Sequence, residues 1–130
     1  MGTRCITLVY DELAQPIVNI YRQFDGYPNC HGRELDEYMN GRKIINGIPS
    51  GIKNNLKYSN GMGCFAAGLI EHLKRDQIGN IYLQSVNEVK CGQDYEYHIY
   101  KNKIVVKNYS DNVMFDGPWD KFADFCEDDE

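Results

Sequence analysis

One stretch of the chain concentrates side chains that could do chemistry. Tyr21-Arg22-Gln23-Phe24-Asp25-Gly26-Tyr27-Pro28 places an arginine, a glutamine and an aspartate among three aromatic rings. A guanidinium meets a phosphate or carboxylate through two parallel hydrogen bonds, and a tyrosine ring stacks on a planar base. The same residues have an internal reading, in which Arg22 and Asp25 form an ion pair that fixes the turn and the rings are core. Cys30-His31 follows, a thiol beside an imidazole. Neighbouring side chains in an extended segment point apart, so adjacency in sequence does not make a nucleophile and its base. His31 is therefore expected as a ligand contact or a helix cap.

Two further segments carry polar or glycine-rich patterns. Asn60-Gly61-Met62-Gly63 opens a helical pattern. Free N–H groups at such a start can cradle an anion, with Gly61 as the contact, or the glycines can serve close packing. Gly92-Gln93-Asp94-Tyr95-Glu96-Tyr97-His98 leads into a strand. There Tyr95, Tyr97 and Ile99 share one face, while Asp94, Glu96, His98 and Tyr100 share the other, a polar binding face or a solvated one. The expected ligand site is a concave patch of Arg22, Asp25, Tyr27 and His31, with Gln93 and Tyr95 as neighbours. No metal site is expected, because the five cysteines and three histidines lack chelating spacing. No cofactor fingerprint, Ser-His-Asp set or pair of catalytic carboxylates is recognisable, so a binding role is preferred to an enzymatic one.

The elements that must position these residues follow from periodicity. Residues 3–10 alternate as a strand with apolar groups on both faces, and residues 17–23 return as its hairpin partner after Pro16. A helix is predicted over residues 33–40, stopped by Gly41. Residues 41–59 have little periodicity, with a short strand possible at 43–46. The clearest helix spans residues 60–75, where Met62, Phe65, Ala66, Leu69, Ile70 and Leu73 share one face. Strands at 80–85, 94–101, 104–108 and 113–115 read as an antiparallel meander, and Pro118 opens a last helix. The fold class is α+β, a single domain with an antiparallel sheet (N-terminal hairpin plus C-terminal meander) packed with about three helices. Residues 1–126 form that domain and residues 127–130 an acidic tail.

Composition narrows the function classes. The chain has 130 residues, 42% of them hydrophobic and 25% charged, which suits one globular domain. A net charge of −5 argues against non-specific nucleic-acid binding, although four of the acids crowd into the last five residues. The pattern of a signal peptide and a membrane-length apolar run are both missing, so reduced thiols in a cytoplasm are expected.

Met1-Gly2-Thr3-Arg4, the block from Tyr21 to Pro28 with His31-Gly32, Asn60-Gly61-Met62-Gly63-Cys64 and the Cys91 to His98 segment together resemble an uncharacterised family of small proteins from phages, large DNA viruses and bacteria. The resemblance implies a viral or bacterial accessory protein, in the host cytoplasm if viral, and carries no assigned catalytic residues. The preferred expectation is a non-enzymatic binding protein for a small anionic or nucleotide-like ligand, acting in counter-defence. The alternatives are a structural or protein-interaction subunit, which includes a homo-oligomer, and a small hydrolase using Cys30, His31 or Asp25.

Overall fold

The computed structural model describes residues 2–48 and 57–128. Strand β1 (Cys5–Tyr10) and strand β2 (Pro16–Arg22) form the expected hairpin. Its turn is tied by Asp11, whose carboxylate accepts from the backbone N–H of Leu13 and of Gln15, both at 2.9 Å. Cys5 through Val9 are all buried, which is why both faces of β1 are apolar. A single π-helical turn, Pro28–Gly32, leads into α1 (Arg33–Met39), and Gly41 beyond it adopts φ +79°, a conformation that favours glycine. Strand β3 (Lys43–Ile45) and strand β4 (Tyr58–Asn60) pair in parallel as a small separate sheet. The intervening residues of the aperiodic segment, 49–56, lie outside the described residues, as do Met1 and residues 129–130 of the acidic tail.

Helix α2 (Gly61–Lys74) is the longest helix and carries the core. Met62, Phe65, Leu69 and Leu73 are fully buried against Leu35 and Met39 of α1 and against one face of the main sheet. Ile70, on the edge of the same stripe, is half-buried. The small residues on the flank of α2 have a use. The Tyr38 hydroxyl reaches over Gly68 to donate to the Phe65 carbonyl at 2.8 Å, and a Cβ at Gly68 would overlap that hydroxyl. The last helix, α3 (Phe122–Asp128), follows a 3-10 turn at Trp119–Lys121 and buries Phe122 and Cys126, so the first residues of the acidic end are helical.

The α+β class with three helices stands, and the sheet is mixed. Strands β5 (Ile81–Gln84), β6 (Tyr95–Ile99), β7 (Ile104–Asn108) and β8 (Val113–Gly117) join the hairpin in the order β5-β2-β1-β6-β7-β8. Three of the four late strands form the meander, while β5 pairs with β2 at the far edge and β6 lies parallel to β1. Both β5 and β6 thus run in the direction of β1, and a tight hairpin cannot join strands of one direction. Residues 85–94 make the crossing instead. Cys5, Thr7, Val9, Tyr97, Ile99, Ile104 and Val106 face the helices; Ile6, Leu8, Tyr10, Asn19, Glu96 and His98 share the other face.

Candidate functional site

The block at residues 21–28 builds an interior network. Arg22 is 5% exposed. Its Nη1 and Nη2 donate to the two carboxylate oxygens of Glu34 at 3.1 and 3.2 Å, and its Nε donates to the Phe24 carbonyl at 2.6 Å. Its partner is therefore Glu34 of α1, and not Asp25 as the internal reading had it. His31 is buried beside it, with Nδ1 3.3 Å from Arg22 Nη1 and Nε2 2.8 Å from Thr7 Oγ1. A guanidinium can only donate, so Nδ1 accepts and Nε2 carries the proton that it gives to Thr7. Burial, and then the charge of Arg22, hold His31 well below the usual imidazole range and keep it neutral. Burial pushes the Cys30 thiol up, the direction opposite to thiolate chemistry.

The other expected site residues scatter. Asp25 is exposed, with φ +62°, in the turn. Tyr27 precedes the π-helical turn, its carbonyl accepting from the N–H groups of Cys30 and His31 at 3.0 and 2.9 Å. The start of α2 at Gly61 is occupied by the protein itself, because Glu12 Oε2 accepts the Met62 N–H at 2.7 Å. Tyr95 lies on the helix side of the sheet, opposite to Glu96 and His98, and shares that face with Arg22, the two flanking Cys5 of β1. The structure brings Arg22 and His31 together, sets Tyr27 at the edge of their turn, and places Gln93 elsewhere.

Gln93 lines a different feature, a cleft of about 730 Å³ on the helix-free face of the sheet. The crossing segment roofs it and is held by side-chain amides. Asn19 Nδ2 donates to the carbonyls of Ser85 and Glu88 at 3.0 and 2.9 Å, and Gln93 Nε2 donates to Val89 O at 2.7 Å. Leu8, Val86 and Val89 supply apolar lining, while Lys90, Asp111 and Tyr109 complete it. Along one side runs a continuous polar chain. Gln93 Nε2 meets Glu96 Oε2 at 3.0 Å, Glu96 Oε1 meets His98 Nε2 at 3.1 Å, and His98 Nδ1 meets the Tyr10 hydroxyl at 2.7 Å. Tyr10 in turn stacks on Tyr100, with centroids 4.3 Å apart.

Burial lowers the His98 pKa although Glu96 pulls the other way, so the ring is neutral near pH 7. Burial and the neighbouring Tyr100 raise the Tyr10 pKa, which keeps its hydroxyl protonated. The alternation of β6 already puts Glu96 and His98 on one polar face. Within this polar chain Tyr10 is the residue that sequence reasoning missed, because only the parallel pairing of β1 with β6 sets it beside His98. Among the described residues no group of three or more His, Cys, Asp or Glu could hold a metal ion, and no helix is long and apolar enough to cross a membrane. No family model, curated protein or solved structure matches the chain.

Proposed function

We propose that this protein is a non-enzymatic binding protein whose small, nucleotide-like ligand enters the cleft between the open sheet face and the segment 85–94. The observation that carries the reading is the cleft itself. Its volume of about 730 Å³ falls in the range of small-molecule sites, roughly 300–1,000 Å³, and its lining sets oriented polar groups beside the apolar side chains of Leu8, Pro16, Val86 and Val89. Lys90, exposed at the rim, suits any anionic group that the ligand bears, while Glu96 and Asp111 disfavour a polyanion lodged deeper. A role of this kind fits the viral or bacterial accessory function that the sequence resemblance implies, including capture of a nucleotide-like signal in a host cytoplasm. Amide NMR titration with a library of nucleosides and planar fragments tests it. The expected result is shifts confined to Leu8, Tyr10, Glu96, His98 and the 85–94 segment. The reading fails if every compound leaves these amides in place.

A second reading, self-association, is favoured by the β5 edge. Tyr82 and Leu83 are 51% and 60% exposed there, and the strand carries no charge to oppose pairing with another copy. Light scattering on the wild type and on Leu83→Lys checks it: a dimer that the substitution dissolves supports the reading, and a wild-type monomer at high concentration removes it.

A further inference from the structure

We infer that the cleft selects a ring bearing an amino group over the same ring bearing an oxo group, because its polar wall presents acceptors. This rests on the reading that the cleft is a ligand site, and it follows from where the protons must lie. Glu96 Oε1 is 3.1 Å from His98 Nε2, and a carboxylate only accepts, so Nε2 carries the ring proton. A neutral ring then has a bare Nδ1. Tyr10, 2.7 Å away, must give its hydroxyl proton to that nitrogen. The hydroxyl is thereby spent as a donor, and the hydrogen bond it shares with Tyr100 must come from the Tyr100 hydroxyl, so the Tyr10 oxygen keeps one lone pair with which to accept from a ligand.

Gln93 is spent in the same way. Its two amide protons go to Val89 O and Glu96 Oε2, and its Oε1 accepts from the Cys91 N–H at 2.9 Å. What this polar wall offers to the cleft is the remaining lone pair of Tyr10 and the carboxylate of Glu96, whose side chain is 22% exposed, while the donors Lys90 and Tyr109 lie on the rim. An exocyclic amino group supplies the N–H that such a wall requires. An oxo group in the same place would set a lone pair against a lone pair, and a site built to hydrogen-bond one partner rejects the analogue that lacks it. Tyr109, 79% exposed on the rim, can cover the face of the ring.

The probes are free nucleobases without phosphate, so that Lys90 does not dominate: adenine against hypoxanthine, and cytosine against uracil, followed by amide NMR titration. The expected result is at least tenfold tighter binding of each amino base, with shifts at Tyr10, Glu96 and His98. Glu96→Gln, which releases the His98 tautomer, is expected to reduce the preference to less than about threefold. Should that variant not fold, the ¹⁵N shifts of the wild-type His98 ring decide the same point: a protonated Nε2 and a bare Nδ1 at pH 7 support the inference, and the reverse tautomer overturns it. Equal binding of amino and oxo bases at the cleft overturns the selectivity and leaves the binding role standing. Absence of any shift at the cleft from all four bases overturns the inference, and a blank result across the wider library removes the binding role as well.

Discussion

Arg22 shows how one residue can carry the chemistry of a binding site and still serve the interior. Its fork is filled by Glu34, and its remaining donors meet Phe24 O, His31 Nδ1 and Cys30 Sγ. Breaking a buried pair from one side costs about 3–5 kcal/mol, and because the Glu34 carboxylate left behind is 23% exposed the loss here falls towards the lower end, about 3 kcal/mol. Arg22→Ala is therefore expected to cost about that much in a denaturant melt, and Arg22→Lys also destabilises because an ammonium cannot span both Glu34 oxygens. The double variant with Glu34→Ala should cost less than the sum of the two single changes. A near-neutral Arg22→Lys would show instead that the fork is dispensable. The importance of Arg22 is legible in the sequence, but its partner is not. Asp25 stands three positions away, whereas Glu34 stands twelve away and is delivered by the π-helical turn, which no periodicity announces.

Helix α2 was the most legible element, and its neighbours explain why. Its stripe buries Met62, Phe65, Leu69 and Leu73 completely, so the apolar spacing survives into the fold unaltered. Leu69→Ala is expected to destabilise by about 2–5 kcal/mol through lost burial and the cavity left behind, and a melt within about 1 kcal/mol of wild type, well below that range, would remove the residue from the core. The glycine start of the same helix shows where pattern reading stops. An anion does sit there, but it is Glu12 from the tip of the β1–β2 hairpin, remote in sequence. A carboxylate at a helix N-terminus contributes roughly 0.3–1 kcal/mol when exposed. Glu12→Gln should lower stability within about that range, less so at high salt, and an unchanged melt at low salt would deny Glu12 that role. The late strands were likewise legible as strands. Their partners were not, because alternation fixes a face and says nothing of which strand lies alongside.

For the whole molecule, that silence about partners hid the cleft. The crossing at residues 85–94 exists because β5 leaves for the far edge, and the same detour aligns β6 with β1 and sets Tyr10 beside His98. Each face of the sheet holds a neutral histidine, His31 fully buried within the π-helical turn and His98 largely buried beside the crossing segment. The two make stability depend on pH in a direction that can be worked out. Both folded-state pKa values lie below the unfolded value near 6.5. As pH falls below about 6.5, the unfolded chain takes up protons that the fold refuses. The stability is thus fully present above that pH and is lost as the pH falls towards the folded values, by at most about 1.4 kcal/mol per pH unit for each histidine. Asp36, whose pKa burial raises from the usual carboxylate value, acts in the opposite sense, adding stability as the pH falls through its folded value. Denaturant melts between pH 8 and pH 5 should therefore be level above pH 7 and decline below 6.5. His31→Gln tests the source, since its amide can still donate to Thr7 and accept from Arg22 without titrating. The variant should show a shallower decline than the wild type. An identical slope would clear His31 of the effect, and a wild-type curve level down to pH 5 would show that neither histidine is held neutral by the fold.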